Sequence, residues 1–284
     1  MAKLHPQDTW NSRVLGSHPL FWPLVSGASL FVESFTNWPT LKDLQHYLDQ
    51  SNNLIYTRSH LPLTIVPQGE PPEQFSDEYE PRIYLKGELQ TRQNSWHDFF
   101  QVLIWKIFPK TKAAINELHF NAIKERLQST NNRKRRSVLE NMLTQFDECG
   151  GIVISPDTDL LLLVSKFDWK TLFWEKRAQT AQRLKCIVFG HAIYEKAVSP
   201  YIGMTSHCVL LTVPEKVFSA ANELLVEYLD TRLESYFSDN AGIQSPQDLS
   251  PFPLLGLPGW HPDNEHENFY ENKDYFRPGR KQKN

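Results

Sequence analysis

His191 and Glu195 are the two ionisable residues whose spacing best fits a chemical site. They belong to a stripe at helical spacing that is otherwise apolar: Leu184, Val188 and Val198. Four residues make about one helical turn, so both side chains would leave the same face of a helix over 175–198. Burying either group unpaired would be costly. Glu195 could therefore be a general base or a metal ligand with His191 as its partner, or the two could form only a structural ion pair.

His97 and Asp98 form a second candidate pair, in the first turn of a helix that we expect to begin after Ser95. Asp98 follows Ser95 by three residues, which is the spacing of a capping box, so its carboxylate could serve only to cap the helix. A capping box does not account for His97. The positive end of the helix dipole disfavours a protonated imidazole. A neutral His97 could act as a base or a metal ligand, with a structural role as the alternative.

Lys112, Asn116 and His119 follow one another at intervals of four and three residues, which places them on one face of the next helix. A solvated helix face is the explanation that this pattern favours. The alternative is contact with a bound ligand, in which case Trp96 would add an aromatic wall to the same site.

Asp147 and Glu148 are adjacent acids just before Cys149, Gly150 and Gly151, where we expect a helix to end. The helix dipole disfavours negative charge at that end. The two carboxylates therefore need a nearby cation, which could be a metal ion, an arginine or only solvent.

These residues come from separate segments, and we expect them to converge in part on one pocket. The predicted function is a hydrolase-type or acid/base enzyme, and one version of it uses a divalent metal held by histidine and carboxylate ligands. The alternative is a non-enzymatic binding or scaffold protein whose buried polar pairs only fix helix register. For the enzyme, catalytic roles fall to His97, Asp98, His191 and Glu195, ligand contacts to Lys112, Asn116, His119 and Trp96, and metal ligation to His97, His191, Glu195, Asp147 and Glu148.

The basic run Arg133-Lys134-Arg135-Arg136 could contact nucleic acid. A net charge of −3 gives the chain no general attraction to nucleic acid, so a solvated loop is the favoured interpretation. The sequence also lacks a Walker loop, a Rossmann glycine pattern, a His-Glu-x-x-His motif and a Gly-x-Ser-x-Gly motif. The enzyme classes that these motifs mark are therefore not indicated by the sequence, although the corresponding folds are not excluded.

Composition indicates a globular protein in a reducing compartment. Of the 284 residues, 40% are hydrophobic and 22% are charged, which is ordinary for a globular chain. Three scattered cysteines fit neither a disulfide framework nor a paired metal knuckle. The N-terminal residues lack the regions of a signal peptide, and the longest apolar runs are too short to span a bilayer. We therefore expect a cytoplasmic protein without membrane contact, whose partner is a small-molecule ligand rather than nucleic acid.

The elements that must position these residues are mainly helices. The sequence predicts two helices broken at Pro109, a long helix over 175–198, and short strands at 63–66, 82–85, 152–154 and 207–212. The fold class is α+β, predominantly helical, in one compact domain over 1–262, followed by a polar, flexible tail over 263–284. The segment 254–260 is too rich in Pro and Gly for a helix, so we expect Trp260 to be a buried anchor packed on the helical body, for which the Trp96 helix is one candidate partner.

Several groups of residues form a pattern over most of the chain, from about Pro81 to Trp260. They are Trp96-His97-Asp98, Phe108-Pro109-Lys110-Thr111-Lys112, Asn116, Asp147-Glu148, Gly190-His191-Ala192 with Glu195, and Leu255-Gly256-Leu257-Pro258-Gly259-Trp260. Together they resemble the bacterial family known as domain of unknown function 3025, although Gln101 stands where we expect an Asn. The resemblance implies a bacterial source and a compact domain whose polar motif residues converge, and it carries no assigned activity.

Overall fold

A computed structural model describes residues 9–25, 27–28, 31, 34–50, 54–128, 135–238 and 245–279. Helices make up most of its regular structure, so the predominantly helical α+β class is confirmed. The helices are α1 (Trp22–Val25), α2 (Leu41–Asp49), α3 (Tyr79–Lys86), α4 (Trp96–Ile107), α5 (Pro109–Gln128), α6 (Val138–Cys149), α7 (Thr158–Ser165), α8 (Arg177–Arg183), α9 (His191–Ala197), α10 (Glu215–Phe218) and α11 (Asn222–Ser238). The strands are β1 (Thr64–Pro67), β2 (Glu88–Thr91), β3 (Gly150–Ser155), β4 (Lys185–Val188), β5 (Thr205–Thr212) and β6 (Ser250–Pro253).

The strands form two sheets. The larger sheet has the order β4-β3-β5-β6, with β3 antiparallel to β4 and parallel to β5, and with β6 antiparallel to β5. All of β3 is buried, as expected for an apolar run that is covered on both faces. β1 and β2 form a parallel pair. The strands expected at 63–66, 152–154 and 207–212 are confirmed.

The expected break at Pro109 is confirmed and separates α4 from α5. The carboxylate of Asp230 in α11 accepts hydrogen bonds from the backbone amides of Lys110 (3.1 Å) and Thr111 (2.8 Å). These bonds satisfy two of the amides that a helix leaves free at its N-terminus. The break lets α4 pack against α9 while α5 packs against α3, α6 and α11.

The single helix expected over 175–198 is wrong, because the structure divides this segment into α8, β4 and α9. The β-branched residues Ile187 and Val188 are buried in β4, where such side chains are favoured, and β4 pairs with β3. Val188 and His191 therefore lie in different elements and do not share one helix face. His191 and Glu195 still lie one turn apart, since both belong to α9.

The strand expected at 82–85 is also wrong, because these residues lie in α3. Gly87 ends that helix in the left-handed conformation (φ 69°) and donates its N–H to the carbonyl of Ile83. The strand β2 begins one residue later. A short apolar alternation does not distinguish a strand from one buried side of a two-turn helix, and α3 buries Pro81 and Ile83.

The folded chain continues beyond Pro262, so the flexible tail expected from residue 263 is wrong for 263–279. Two 3₁₀ helices, Pro262–Glu265 and Glu267–Glu271, follow one another there. This stretch is polar in composition, but four aromatic residues within it are buried and hold it on the core. They are Phe269, Tyr270, Tyr275 and Phe276. Residues 280–284 lie outside the described residues.

The prediction for Trp260 is wrong in the degree of burial, although Trp260 packs against the hydrophobic core. Trp260 is half-buried, and its ring packs edge-on against His18 with 5.7 Å between ring centroids. Burial of Leu254, Leu255 and Leu257 holds the segment in place instead.

Candidate functional site

A cavity of about 450 Å³ lies where α3, α4, α5, α6 and α9 meet. One wall is a face of α6, because Glu140, Thr144, Asp147 and Glu148 recur there at helical spacing. The described residues that line the cavity are Gln68, Glu78, Tyr79, Glu80, Pro81, Gln90, Arg92, His97, Asp98, Gln101, His119, Ile123, Arg126, Arg136, Glu140, Thr144, Asp147, Glu148 and His191.

His97, Glu148 and His191 meet at one end of this cavity, and we call these three residues the triad. The Nε2 atoms of the two histidines are 3.0 Å apart, with the rings nearly perpendicular. The carboxylate oxygens of Glu148 lie 3.6 Å from Nε2 of His191 and 3.9 Å from Nε2 of His97. One potential ligand atom from each residue therefore lies within 4.8 Å of the other two.

A carboxylate faces the far side of each histidine ring. Oε2 of Glu195 is 3.0 Å from Nδ1 of His97, and Oδ2 of Asp147 is 3.7 Å from Nδ1 of His191. We call Glu195 and Asp147 the outer carboxylates. Carboxylates in this position orient the ring of a metal-bound histidine and make its other nitrogen a better donor.

Local sequence explains why His191 reaches Glu148. Gly190 immediately precedes His191, and its backbone packs on the end of α6. A Cβ atom at this position would lie 2.4 Å from the carbonyl oxygen of Glu148 and 2.5 Å from the amide nitrogen of Cys149. Only glycine permits that approach without displacing backbone. His97 is placed by the first turn of α4, which Ser95 caps through its hydroxyl.

Burial and charge give the two histidines opposite titration behaviour. Burial lowers the pKa of His191 to about 3, against the attraction of Asp147, so its imidazole is neutral. Burial also lowers the pKa of His97, but the hydrogen bond to Glu195 and the charge of Glu148 outweigh it and leave this pKa raised. Desolvation raises the pKa of Glu148. A cation between the three groups would interact favourably with both the partly desolvated carboxylate of Glu148 and the two Nε2 atoms that face each other.

Lys112 holds Asp147 in place from the core side. Its Nζ lies 2.5 Å from Oδ1 of Asp147, and both side chains are buried. Burial raises the pKa of Asp147, but the Lys112 charge outweighs burial and leaves the pKa lowered, so the carboxylate is ionised. Asp147 therefore presents a fixed negative charge to the ring of His191.

The solvated helix face expected for Lys112, Asn116 and His119 is wrong, because all three are buried. α3 and α6 pack on α5 and cover this face. The amide of Asn116 donates to the backbone carbonyl (3.0 Å) and the carboxylate (2.7 Å) of Glu80. The His119 ring lies between Glu80 (3.3 Å) and the carbonyl of Glu140 (3.1 Å), and it lines the cavity.

Asp98 and Trp96 are occupied by other contacts. The Asp98 carboxylate lines the cavity but forms a two-point ion pair with the guanidinium of Arg92 (2.8 and 3.0 Å). Trp96 is buried among aromatic rings, including Trp10 at 5.1 Å and Trp38 at 4.7 Å between centroids. Trp96, Lys112, Asn116 and Glu195 are not among the described residues that line the cavity.

Sequence analysis did not single out Arg92, Tyr79, Glu80 or Glu140, although all four line the cavity. Arg92 reaches Asp98 across a loop, and Glu80 reaches α5 from another helix. Contacts of this kind join different elements, so no regular spacing in the sequence signals them. Arg136 was considered only as part of a basic loop, and its neighbours Arg133 and Lys134 lie outside the described residues.

Comparison with known proteins places the site within a family. No curated protein and no solved structure matches the chain. Among the described helices, none combines the length and the apolar character that a bilayer crossing requires. The family described as "Protein of unknown function (DUF3025)" matches residues 63–280, a span that includes the triad and the outer carboxylates. The chain therefore belongs to the DUF3025 family.

Proposed function

We propose that the protein is a metal-dependent hydrolase-type enzyme whose divalent ion is bound by the triad. The observation that carries this proposal is the convergence of three ligand atoms from α4, α6 and α9 within 4.8 Å of one another. The outer carboxylates behind both imidazole rings support it, because structural ion pairs alone do not require that arrangement.

The separations fit a zinc-like ion after a small adjustment. Two nitrogens bound to tetrahedral Zn²⁺ at about 2.0–2.1 Å lie about 3.3 Å apart. The Nε2 atoms of His97 and His191 are 3.0 Å apart and need only a slight outward shift. Three protein ligands leave a fourth position for water, which is typical of catalytic rather than structural zinc.

The residues around the triad have defined roles in this proposal. Glu195 keeps the proton of His97 on Nδ1, so Nε2 offers its lone pair to the ion. Asp147, fixed by Lys112, faces Nδ1 of His191 at 3.7 Å and places a negative charge on the far side of that ring. A bound divalent ion would lower the pKa of a coordinated water and so supply the nucleophile for hydrolysis of an ester, amide or phosphoester.

A metal-free acid/base enzyme is the second candidate. The successive contacts from Glu195 to His97 (3.0 Å) and from His97 to His191 (3.0 Å) favour it, because they could carry a proton to the cavity. A scaffold whose polar pairs only fix helix packing would predict neither metal binding nor turnover.

Metal titration separates these candidates. Full-length protein purified without an affinity tag is stripped with chelator, titrated with Zn²⁺, Mn²⁺ or Mg²⁺ by calorimetry, and assayed on nitrophenyl esters and phosphoesters. We expect one ion per chain and a higher melting temperature with the ion bound. His97→Ala should abolish this binding, whereas the exposed control His46→Asn should not. Turnover without a bound ion would favour the second candidate, and neither binding nor turnover would favour a scaffold.

We also propose a cytoplasmic location, supported by three free thiols in the described structure. Cys186 and Cys208 are buried and Cys149 is half-buried. Fractionation of source cells tests this proposal, and recovery outside the cytoplasmic fraction would contradict it.

A further inference from the structure

The cations that line the cavity are not equivalent. Arg92 is paired with Asp98, and Arg126 is paired with the buried carboxylate of Glu140 (2.9 Å). Arg136 is the third guanidinium on the cavity wall. Among the described residues, its hydrogen-bond partner is the hydroxyl of Thr144 (3.3 Å), and no carboxylate lies within ion-pair distance. Arg136 therefore keeps a positive charge available to a ligand.

The side chain of Arg136 extends along α6 in the direction of the triad. The residue precedes the helix, yet its Nη1 atom reaches Thr144 in the second turn. Thr144 is four residues before Glu148, and four residues rise about 6 Å along a helix. The guanidinium therefore lies about one helical turn from the end of the cavity that holds the triad.

Other polar groups surround this position. The hydroxyl of Thr144 is also 3.4 Å from Nε2 of His119. The buried hydroxyl of Tyr79 and the side chain of Gln101 also line the cavity wall. A ligand that carries oxygen acceptors would find donors here, whereas a wholly apolar ligand would leave them unsatisfied.

On the basis of the proposed function, we infer that the substrate is a compact anion whose carboxylate or phosphate group binds Arg136 while its scissile bond lies at the triad. The cavity volume of about 450 Å³ suits a small molecule. A bound divalent ion would place positive charge at the triad, opposite the carboxylate of Glu148, and Arg136 adds a second positive group about one turn away. Two separated positive charges fit a substrate that carries an anionic group about 6–10 Å from the bond that is cleaved.

Arg135 provides a matched control for this inference. It is adjacent to Arg136 and exposed, but it does not line the cavity. Arg136→Gln and Arg135→Gln therefore remove the same charge from neighbouring positions. Both variants and the wild type are titrated, in the metal-free full-length protein, with inorganic phosphate and separately with glutarate.

We expect saturable binding of one of the two anions to the wild type, and this identifies the anionic group. Arg136→Gln should weaken that binding by about tenfold or more, because charge-assisted hydrogen bonds to the guanidinium are lost. Arg135→Gln should leave it unchanged. Equal affinities in wild type and Arg136→Gln, equal losses in both variants, or no saturable binding of either anion would overturn the inference.

Zn²⁺ titration of the same proteins distinguishes this failure from failure of the proposed function. Zn²⁺ affinity should be the same in all three, since Arg136 is not a member of the triad. Zn²⁺ binding together with anion binding that is independent of Arg136 would overturn the substrate class and leave the metal site standing. Anion binding that depends on Arg136, without Zn²⁺ binding, would support the anion site and overturn the metal site.

Discussion

Two buried polar clusters in this molecule show opposite uses of hydrogen bonds. Asn264, near the C-terminus, is buried, and its amide donates to the carbonyls of Leu255 (2.9 Å) and Leu257 (2.6 Å). Its carbonyl groups accept hydrogen bonds from Arg177. The triad differs, because two histidine nitrogens and a carboxylate face one another and none of these contacts is with a backbone group.

The comparison distinguishes a polar group that stabilises the fold from one that is available to a ligand. The Asn264 contacts satisfy backbone carbonyls in a Pro- and Gly-rich segment that forms few hydrogen bonds of its own. The triad instead directs three ligand atoms to one point from three helices. Substitutions in the two clusters should therefore change different quantities.

The largest expected effect is on metal affinity. His191→Ala should lower Zn²⁺ affinity by more than about 100-fold, because loss of a ligand should exceed the 10–100-fold cost of losing an outer partner. Calorimetric titration measures this change. Unchanged Zn²⁺ affinity would contradict the assignment of His191 as a ligand. His191 would then have a structural role, as Asn264 does.

The reciprocal substitution, Asn264→Ala, should lower the free energy of unfolding by about 2–4 kcal/mol. It leaves the buried carbonyl of Leu255 without its side-chain donor, removes one of the two hydrogen bonds to the carbonyl of Leu257, and removes an acceptor of the Arg177 guanidinium. Urea denaturation measures the loss. Zn²⁺ affinity should stay at the wild-type value, and a change there would show that the two clusters are coupled.

Glu195→Gln should have an intermediate effect on the metal site. The variant keeps the shape of the side chain but removes the charge that orients His97, so Zn²⁺ affinity should fall by about 10–100-fold. Glu223→Gln, at an exposed position in α11, is the matched control and should leave the Zn²⁺ affinity at the wild-type value. Equal Zn²⁺ affinities in both variants would leave Glu195 without a role in metal binding.

The smallest expected effect concerns His119, which belongs to neither cluster. Burial lowers the pKa of His119, but the charge and hydrogen bond of Glu80 outweigh burial and raise it above 6.5. A raised folded-state pKa adds stability below about pH 6.5, and this is lost as pH rises through the folded pKa. The stability advantage of wild type over His119→Gln should therefore shrink as the pH rises above 6.5.

Urea denaturation of both proteins at several pH values between 6 and 9 checks this sign. An advantage that grows with pH would mean that His119 is neutral in the folded protein. The ion pair with Glu80 would then have to be abandoned.

Sequence predicted the parts of the fold that depend on local signals. The break at Pro109 and the start of α4 after Ser95 both follow from residues within one turn of each other. The expected helix over 175–198 failed because pairing of β4 with β3 is a contact between distant segments. Helical periodicity in the isolated segment could not reveal that pairing.

The candidate site was predicted in the same uneven way. His97, Asp147, Glu148, His191 and Glu195 attracted notice because each is an ionisable residue beside an apolar stripe or a helix end. The distances between them could not be predicted, since α4, α6 and α9 meet only in the folded chain. The bond of Asp98 to Arg92 was missed for the same reason, and it leaves Asp98 a weaker candidate than His97.

The most direct test of the metal site is anomalous X-ray diffraction from crystals of the Zn²⁺-loaded protein at the zinc absorption edge. We expect one strong peak per chain, about 2.0–2.2 Å from Nε2 of His97, Nε2 of His191 and one carboxylate oxygen of Glu148. The carboxylates of Glu195 and Asp147 should still face the Nδ1 atoms of His97 and His191, respectively. A peak elsewhere, or no peak with the two Nε2 atoms still hydrogen-bonded to each other, would contradict the account.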